Sequence, residues 1–158
     1  MTGDKAMLKV LLGEESIATL SLLDDALEWR YTRHWLEEGF LVSPYLPLDD
    51  NIPSINVSRF LRNYLPEGQA FEELLQSTHV GRQNTFALIH ALGRDITGAL
   101  IFKSNTHAEK DVSEFRVISS SELAARLDDR LNTVLVIWDN KPRLSVAGVQ
   151  DKINVLTD

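Results

Sequence analysis

The stretch MLKVLLGEESIATLSL, residues 7–22, decides how the chain begins to fold. Its apolar residues Leu8, Val10 and Leu12 alternate with other side chains, which is the period of a strand with one buried face. Gly13 and Glu14 interrupt the pattern, and apolar residues resume at 17–20. A glycine-containing pair between two such runs predicts a β-hairpin. We therefore expect an antiparallel sheet at the start of the chain.

A third strand and a helical middle follow this hairpin. Alternation of Leu27, Trp29 and Tyr31 predicts the strand, and residues 32–39 predict a short helical turn closed by Gly39. Three prolines in residues 40–54 favour an extended or looped path. Three helices are expected next, and the side chains predicted to face inward are Val57, Phe60, Leu61 and Tyr64 in the first and Phe71, Leu74 and Leu75 in the second.

Punctuating residues set the expected limits of these helices. Pro66 should end the first and Gly81 should lie near the end of the second. The third should be capped by Asn84 or Thr85 and stopped by Gly93. TGALIFKS, residues 97–104, is predicted to return to strand, and Gly98 permits a close backbone approach in it, while Arg94 and Asp95 could cap or pair.

The last third of the chain is predicted in less detail. Residues 105–115 are polar and loop-like, and serines followed by Glu122 in a first turn predict a helix. NTVLVIW, residues 132–138, is compatible with helix or strand, and DNKP, residues 139–142, predicts a turn. Residues 143–158 predict a terminal hairpin. The fold class is thus α+β: an antiparallel β-rich start, a helical middle and a terminal β-hairpin.

Composition limits the classes of function. The chain has 158 residues, a net charge of −7 and no cysteine, so disulfides and thiolate metal sites are excluded. A strongly acidic balance disfavours direct DNA binding. The N-terminus carries no signal-peptide pattern, and no run of 18 apolar residues occurs. We therefore expect a cytoplasmic location and no membrane partner. His34, His79, His90 and His107 are too scattered for a zinc motif, so no metal site is expected.

The final stretch, RLSVAGVQDKINVLTD, residues 143–158, has two readings from its residues alone. Small residues between two strands form ordinary hairpin turns. Successive backbone N–H groups in such a turn can also cradle a phosphate, with Arg143 and Lys152 supplying positive charge. The single Gly148 matches neither common phosphate-loop motif, so spacing alone favours the ordinary hairpin.

This stretch resembles the Gly-rich loop of the HipA-type serine/threonine kinase toxins, [IL]-S-[VL]-A-G-x-Q-x-K. The matching positions are Leu144, Ser145, Val146, Ala147, Gly148, Gln150 and Lys152. FLRNYLPEG at residues 60–68 and GRQNTFALIHALGRDITGAL at 81–100 resemble the family's helix ending in Leu-Pro and its G-R-D-x-x-G-A segment. The extended SPYLPL at 43–48 fits as well. The motifs occur in the family's order and cover most of the chain.

The resemblance implies a division of the chain and roles for its loop. Residues 1–103 would form the family's N-terminal subdomain, 104–142 a connecting loop, helix and strand, and 143–158 the truncated start of a kinase core. Ser145 would be the autophosphorylation site. The nucleotide-binding loop would comprise Val146, Ala147, Gly148, Val149, Gln150, Asp151 and Lys152. Phosphate on Ser145 would add about −1.5 to −2 charge beside the ATP phosphates and expel the loop.

The resemblance also implies partners and a limit. Family members act with a helix-turn-helix antitoxin that binds operator DNA, so DNA would be contacted only indirectly, and the target type is a tRNA synthetase. ATP and Mg would bind only within a complete kinase. The family's catalytic and metal-binding residues follow the loop, so none is expected in this chain and we expect it to be inactive without the remaining kinase domain, in cis or in trans.

Two classes of function remain open at this point. The chain is either the N-terminal part of a toxin kinase, as a fragment, a truncated gene product or one piece of a split kinase, or a stand-alone binding module that regulates a separate HipA-like kinase. The loop SVAGVQDK favours the enzyme part, because a phosphate cradle is useful where phosphoryl transfer occurs. An unrelated α+β interaction domain is the third, blander reading.

Overall fold

A computed structural model describes residues 6–93, 96–104, 117–130, 132, 137–138 and 141–142. Three strands form the predicted antiparallel start: β1 Met7–Leu12, β2 Glu15–Leu23 and β3 Ala26–Tyr31. Gly13, with φ of 61°, lies in the turn between β1 and β2. The predicted hairpin and third strand are therefore confirmed.

The helical side of the sheet carries the main hydrophobic core. Leu8 and Val10 of β1 are buried, as are all three alternating residues of β3: Leu27, Trp29 and Tyr31. The Trp29 ring lies edge-on to Tyr31 and to Phe60, with ring centroids 5.8 and 5.6 Å apart. Aromatic pairs in this geometry add stability beyond the apolar area that they bury.

A fourth strand, β4 Leu100–Ser104, completes the sheet by pairing antiparallel with β1. The strand order is therefore β3-β2-β1-β4, with the first strand of the chain inside the sheet. The Phe102 amide also donates to the Gly93 carbonyl, at 3.4 Å. This bond ties β4 to the end of the preceding helix.

The first two helices follow the predicted limits only in part. Helix α1, Arg33–Glu38, ends at Gly39 as expected, and residues 40–53 form the expected loop. Helix α2, Ser54–Arg62, buries Val57, Phe60 and Leu61, but it ends before Tyr64, so the placement of Tyr64 on this helix was wrong. The Tyr64 amide donates to the Leu61 carbonyl in a tight closing turn, ahead of Pro66, which disfavours helix at the residue before it.

Helices α3, Gly68–Thr78, and α4, Thr85–Leu92, pack through a second, smaller apolar cluster. Leu74 is buried there, and Phe71 and Leu75 are half-buried. His79, with φ of 55°, takes the left-handed position that ends α3, two residues before the Gly81 that the sequence suggested. At α4 the prediction is confirmed: Asn84 accepts from the Ala87 amide at 3.0 Å and Gly93 is the C-cap.

The remaining described elements are α5, Ser120–Asp128, and a pair of two-residue strands, β5 Ile137–Trp138 and β6 Lys141–Pro142. Ser119 caps α5 by accepting from the Glu122 amide at 3.1 Å, as predicted. Lys141 and Pro142 pair with β5, so their assignment to a turn was wrong. A proline is tolerated in an edge strand whose N–H needs no partner. The predicted loop at 105–115 and the terminal hairpin at 143–158 lie outside the described residues.

Candidate functional site

The predicted phosphate loop belongs to the part of the chain outside the described residues. Ser145 and the loop at 146–152 lie outside the described residues, as do Arg94 and Asp95. What the structure does describe is the rest of the G-R-D-x-x-G-A segment, residues 93 and 96–99, which connects α4 to β4. Its geometry is therefore the part of the family pattern that the structure tests.

Gly93 reverses the chain at the end of α4. Its φ of 55° is in the range that favours glycine, and its amide donates to the Ile89 carbonyl at 2.9 Å. The Gly93 carbonyl accepts from Phe102 across the connection. Gly93 thus ends the helix, as the sequence predicted, and its carbonyl also holds the returning strand.

Gly98 allows the connection to lie against Tyr64. Its φ is 104°, and a Cβ atom built on it would lie 3.2 Å from Cε1 of Tyr64. Tyr64 also packs against Phe60 and Phe102, with ring centroids 5.1 and 6.1 Å apart. The close approach was predicted, but the placement of Gly98 within the strand was wrong, because β4 begins at Leu100. The partner was not predicted, because the sequence placed Tyr64 on α2. The segment LPEG after α2 was the available signal that the helix had already ended.

Two tyrosines of the core have raised pKa values. Burial raises the pKa of Tyr31 to about 12, and burial also raises that of Tyr64. The Tyr31 hydroxyl donates to the Leu46 carbonyl at 2.8 Å and so holds the loop after α1 against the sheet. Both phenols therefore keep their protons near neutral pH; Tyr31 acts as a packing group and hydrogen-bond donor, and Tyr64 packs through its ring.

Several acidic side chains and one histidine have local contacts in the described residues. Glu72 pairs with Arg82, and the Asp49 carboxylate accepts from the Asn51 amide at 3.1 Å. His34 lies 3.4 Å from Glu15 on the surface. Within the described part of the chain, no three His, Cys, Asp or Glu residues are grouped so that they could hold a metal ion.

An exposed apolar surface was missed by the sequence analysis. Phe40, Leu41 and Tyr45, in the loop after α1, are 59, 58 and 42% exposed. Trp35 anchors the start of this loop, because its indole N–H donates to the Phe40 carbonyl at 3.2 Å.

Across the described ranges, no helix has the length and apolar character needed to cross a bilayer.

The antiparallel sheet, the helical middle and the glycine-built connection define a class of domain. The family model for the HipA N-terminal domain matches residues 8–103. This range contains helices α1 to α4 and the four-stranded sheet except for its first and last residues, Met7 and Ser104. The chain therefore belongs to the HipA N-terminal domain family.

Two comparisons give HipA of Shewanella oneidensis as similar to nearly the whole chain. The serine/threonine-protein kinase toxin HipA of Shewanella oneidensis is 40% identical over 156 residues, which is 98% of this chain and 36% of that protein. A solved complex of Shewanella oneidensis HipA with HipB and operator DNA matches with a TM-score of 0.77 and 39% identity, covering 96% of this chain and 36% of the matched one. The chain thus spans about a third of the length of these relatives.

Proposed function

We propose that this chain is the N-terminal part of a HipA-like serine/threonine protein kinase of a toxin–antitoxin module. The observation that carries the proposal is the 40% identity to a kinase toxin over 98% of the chain, including the region beyond the N-terminal domain. The complete kinase would arrest growth by phosphorylating a translation component of the tRNA synthetase type. Its partners would be the remaining kinase domain and a helix-turn-helix antitoxin, and only the antitoxin would contact DNA directly. The complex would act in the cytoplasm.

In this proposal the terminal segment supplies one edge of the nucleotide site. A hairpin at 143–158 would present the backbone of residues 146–152 to the phosphates of Mg-ATP, with Lys152 adding positive charge. Ser145 would be autophosphorylated. The added negative charge beside the triphosphate would then expel the loop and switch off the enzyme. The catalytic carboxylate and the metal ligands of phosphoryl transfer would come from the remaining kinase domain.

A chimera tests this function directly. The matching N-terminal third of the Shewanella toxin is replaced by this chain, and transfer from radiolabelled ATP is measured with Mg²⁺ present. We expect autophosphorylation at Ser145, located by mass spectrometry, that is lost in Ser145→Ala. Lys152→Ala should raise the KM for ATP, and this chain alone should transfer nothing.

Folding and partner binding provide the control for the chimera. A chimera that melts cooperatively, co-purifies with the antitoxin HipB and still transfers no phosphate would overturn the kinase proposal. That outcome would favour the alternative, a stand-alone module that regulates a separate HipA-like kinase. Inhibition of the intact Shewanella kinase by added chain would then distinguish a regulator from an inert domain.

A further inference from the structure

The loop after α1 presents three large apolar side chains to solvent. Phe40, Leu41 and Tyr45 are 59, 58 and 42% exposed, and they lie close together in the sequence. Exposed apolar side chains that are grouped, rather than scattered singly over a surface, mark sites of interaction. We refer to these three side chains as the loop surface.

The backbone that carries the loop surface is fixed at both ends. At one end, the indole N–H of the buried Trp35 donates to the Phe40 carbonyl at 3.2 Å. At the other end, the Tyr31 hydroxyl donates to the Leu46 carbonyl at 2.8 Å. The Leu46 amide also donates to the Ser43 carbonyl at 3.0 Å, which closes a turn within the loop. Because this backbone is already ordered, a partner that binds it pays little conformational entropy.

The charges that flank the loop surface are acidic. Residues 34–58 contain four carboxylates, at Glu37, Glu38, Asp49 and Asp50, and no lysine or arginine. Glu37 is paired with the arginine that begins α1. Glu38 and Asp50 are exposed, and within the described part of the chain neither has an ion-pair partner. The apolar side chains therefore lie between two groups of negative charge along the chain.

This arrangement indicates the chemistry of the partner. Carboxylates repel the phosphates of nucleic acids and of anionic lipids, which disfavours both as ligands. They attract lysine and arginine, while the aromatic and aliphatic side chains of the loop surface can bury apolar groups. An apolar centre with a charged rim is the usual anatomy of a protein–protein interface. A protein segment that combines cationic and apolar side chains matches both features.

We propose that the loop surface is a docking site for a basic, amphipathic protein segment. Apolar side chains of the partner would cover Phe40, Leu41 and Tyr45, and its lysine or arginine residues would pair with Glu38 and Asp50. Charge complementarity of this kind steers association and sets orientation. All of these residues lie within the HipA N-terminal domain at 8–103, so the proposal stands whether or not the chain is part of a kinase.

Binding of a fluorescent twelve-residue peptide of alternating Lys and Leu to the full chain tests this proposal. Two control peptides, one with Gln in place of Lys and one with Ser in place of Leu, separate the charged from the apolar contribution. We expect anisotropy to show binding of the Lys-Leu peptide that weakens as salt is added. Either control peptide should bind at least about tenfold more weakly.

Matched variants locate the binding on the chain. Leu41→Ser should weaken it about tenfold, because one leucine contact is lost. Leu23→Ser is the control and should leave it unchanged, since Leu23 is 47% exposed but lies at the opposite end of the β2–β3 hairpin from Tyr31, which holds the loop. Glu38→Gln should weaken binding about threefold and reduce its salt dependence. Glu67→Gln removes the same charge at the exposed N-cap of α3 and should have no effect.

Several outcomes would overturn the proposal. Absence of binding, or equal affinity for either control peptide, would mean that charge and apolar contact are not recognised together. Equal losses from Leu41→Ser and Leu23→Ser would mean that binding is not localised to the loop surface. Thermal melting must show that Leu41→Ser is folded, and Tyr45→Ser gives the same comparison if it is not.

Two other occupants of the loop surface are distinguished by further measurements. A concentration-dependent dimer in sedimentation that is lost in Leu41→Ser would assign the surface to a second copy of the chain. Loss of peptide binding in the Shewanella chimera, while this chain alone still binds, would assign the surface to the remaining kinase domain. Either result overturns the proposal without bearing on the kinase activity of the chimera.

Discussion

Replacing Gly39 by alanine should destabilise the fold strongly, for a reason that backbone angles do not reveal. Gly39 has φ of −84° and ψ of −170°, which any residue adopts. A Cβ built on it, however, would overlap the Trp35 carbonyl oxygen and would lie 2.5 Å from Cδ2 of the indole. Contacts below 3.0 Å are essentially never seen for real Cβ atoms. Either the end of helix α1 or the indole of Trp35 must therefore move.

Neither the end of helix α1 nor the Trp35 indole can move without losing stabilising contacts. The Gly39 amide donates to the Trp35 carbonyl at 2.9 Å. Trp35 is 5% exposed and lies in the main core, and its indole N–H donates to the Phe40 carbonyl. Overpacking a core costs about 1–3 kcal/mol. Removing a buried Trp side chain from its contacts costs about 3–5 kcal/mol. Since the structure can relax partly, we expect Gly39→Ala to lower the free energy of unfolding by about 2–4 kcal/mol.

Urea unfolding followed by tryptophan fluorescence measures this effect. Gly81→Ala is the matched control, because no heavy atom lies within 4 Å of its Cβ position. Restricting the unfolded chain there should leave stability unchanged or raise it by up to about 1 kcal/mol. If Gly39→Ala lay within about 0.5 kcal/mol of the unchanged protein, the close packing of Trp35 on Gly39 would be refuted.

Two further effects follow from backbone strain and from buried phenols. Asp24 and Asp25 occupy left-handed conformations, with φ of 48° and 61°, in the two-residue turn between β2 and β3. Replacing them by an Asn-Gly pair should raise the free energy of unfolding by about 0.5–1 kcal/mol. Asp25→Ala should lower it, and the same urea titration measures both variants. The pKa of Tyr31 is raised from 10.0 to about 12 on folding, so stability should be intact below pH 10 and fall as pH rises toward 12, because the unfolded state loses the phenolic proton first. Tyr31→Phe should lower the free energy of unfolding by about 1 kcal/mol at pH 8, because the hydrogen bond to Leu46 is lost. Above pH 10 the stability of this variant should fall less steeply with pH than that of the unchanged protein. An equal slope in the two proteins would contradict the raised pKa of Tyr31.

The sequence was most informative where a short local pattern determines structure. Alternation at Leu8 and Val10, the Asn84 cap and the Gly93 stop each depend on neighbours within a few residues, and the structure confirms them. Ends set by competing signals were less predictable: α2 stops at Arg62, ahead of the proline, and α3 ends on a left-handed His79. A side chain other than glycine reaches that conformation at a cost that local propensity does not anticipate.

Features that require distant residues to meet were beyond the sequence pattern. The contact of Gly98 with Tyr64 and the alignment of Lys9 with Lys103 depend on the register of strands that are far apart in the chain. Exposure of Phe40 depends on how the loop after α1 packs. The family resemblance identified the domain, but the loop at 146–152, Ser145 and the implied Mg-ATP site stay predictions.

The position of β1 inside the sheet has a consequence for synthesis on the ribosome. The strands β1 to β3 can pair as soon as they emerge, since each adjoins the next in the chain. Leu8, however, must wait for Ser104 to leave the exit tunnel before its second edge is paired. Until then the nascent chain exposes an unpaired strand and the core site later filled by Phe102, a state prone to association with other chains. Slow translation of the helical middle should therefore prolong dependence on chaperones.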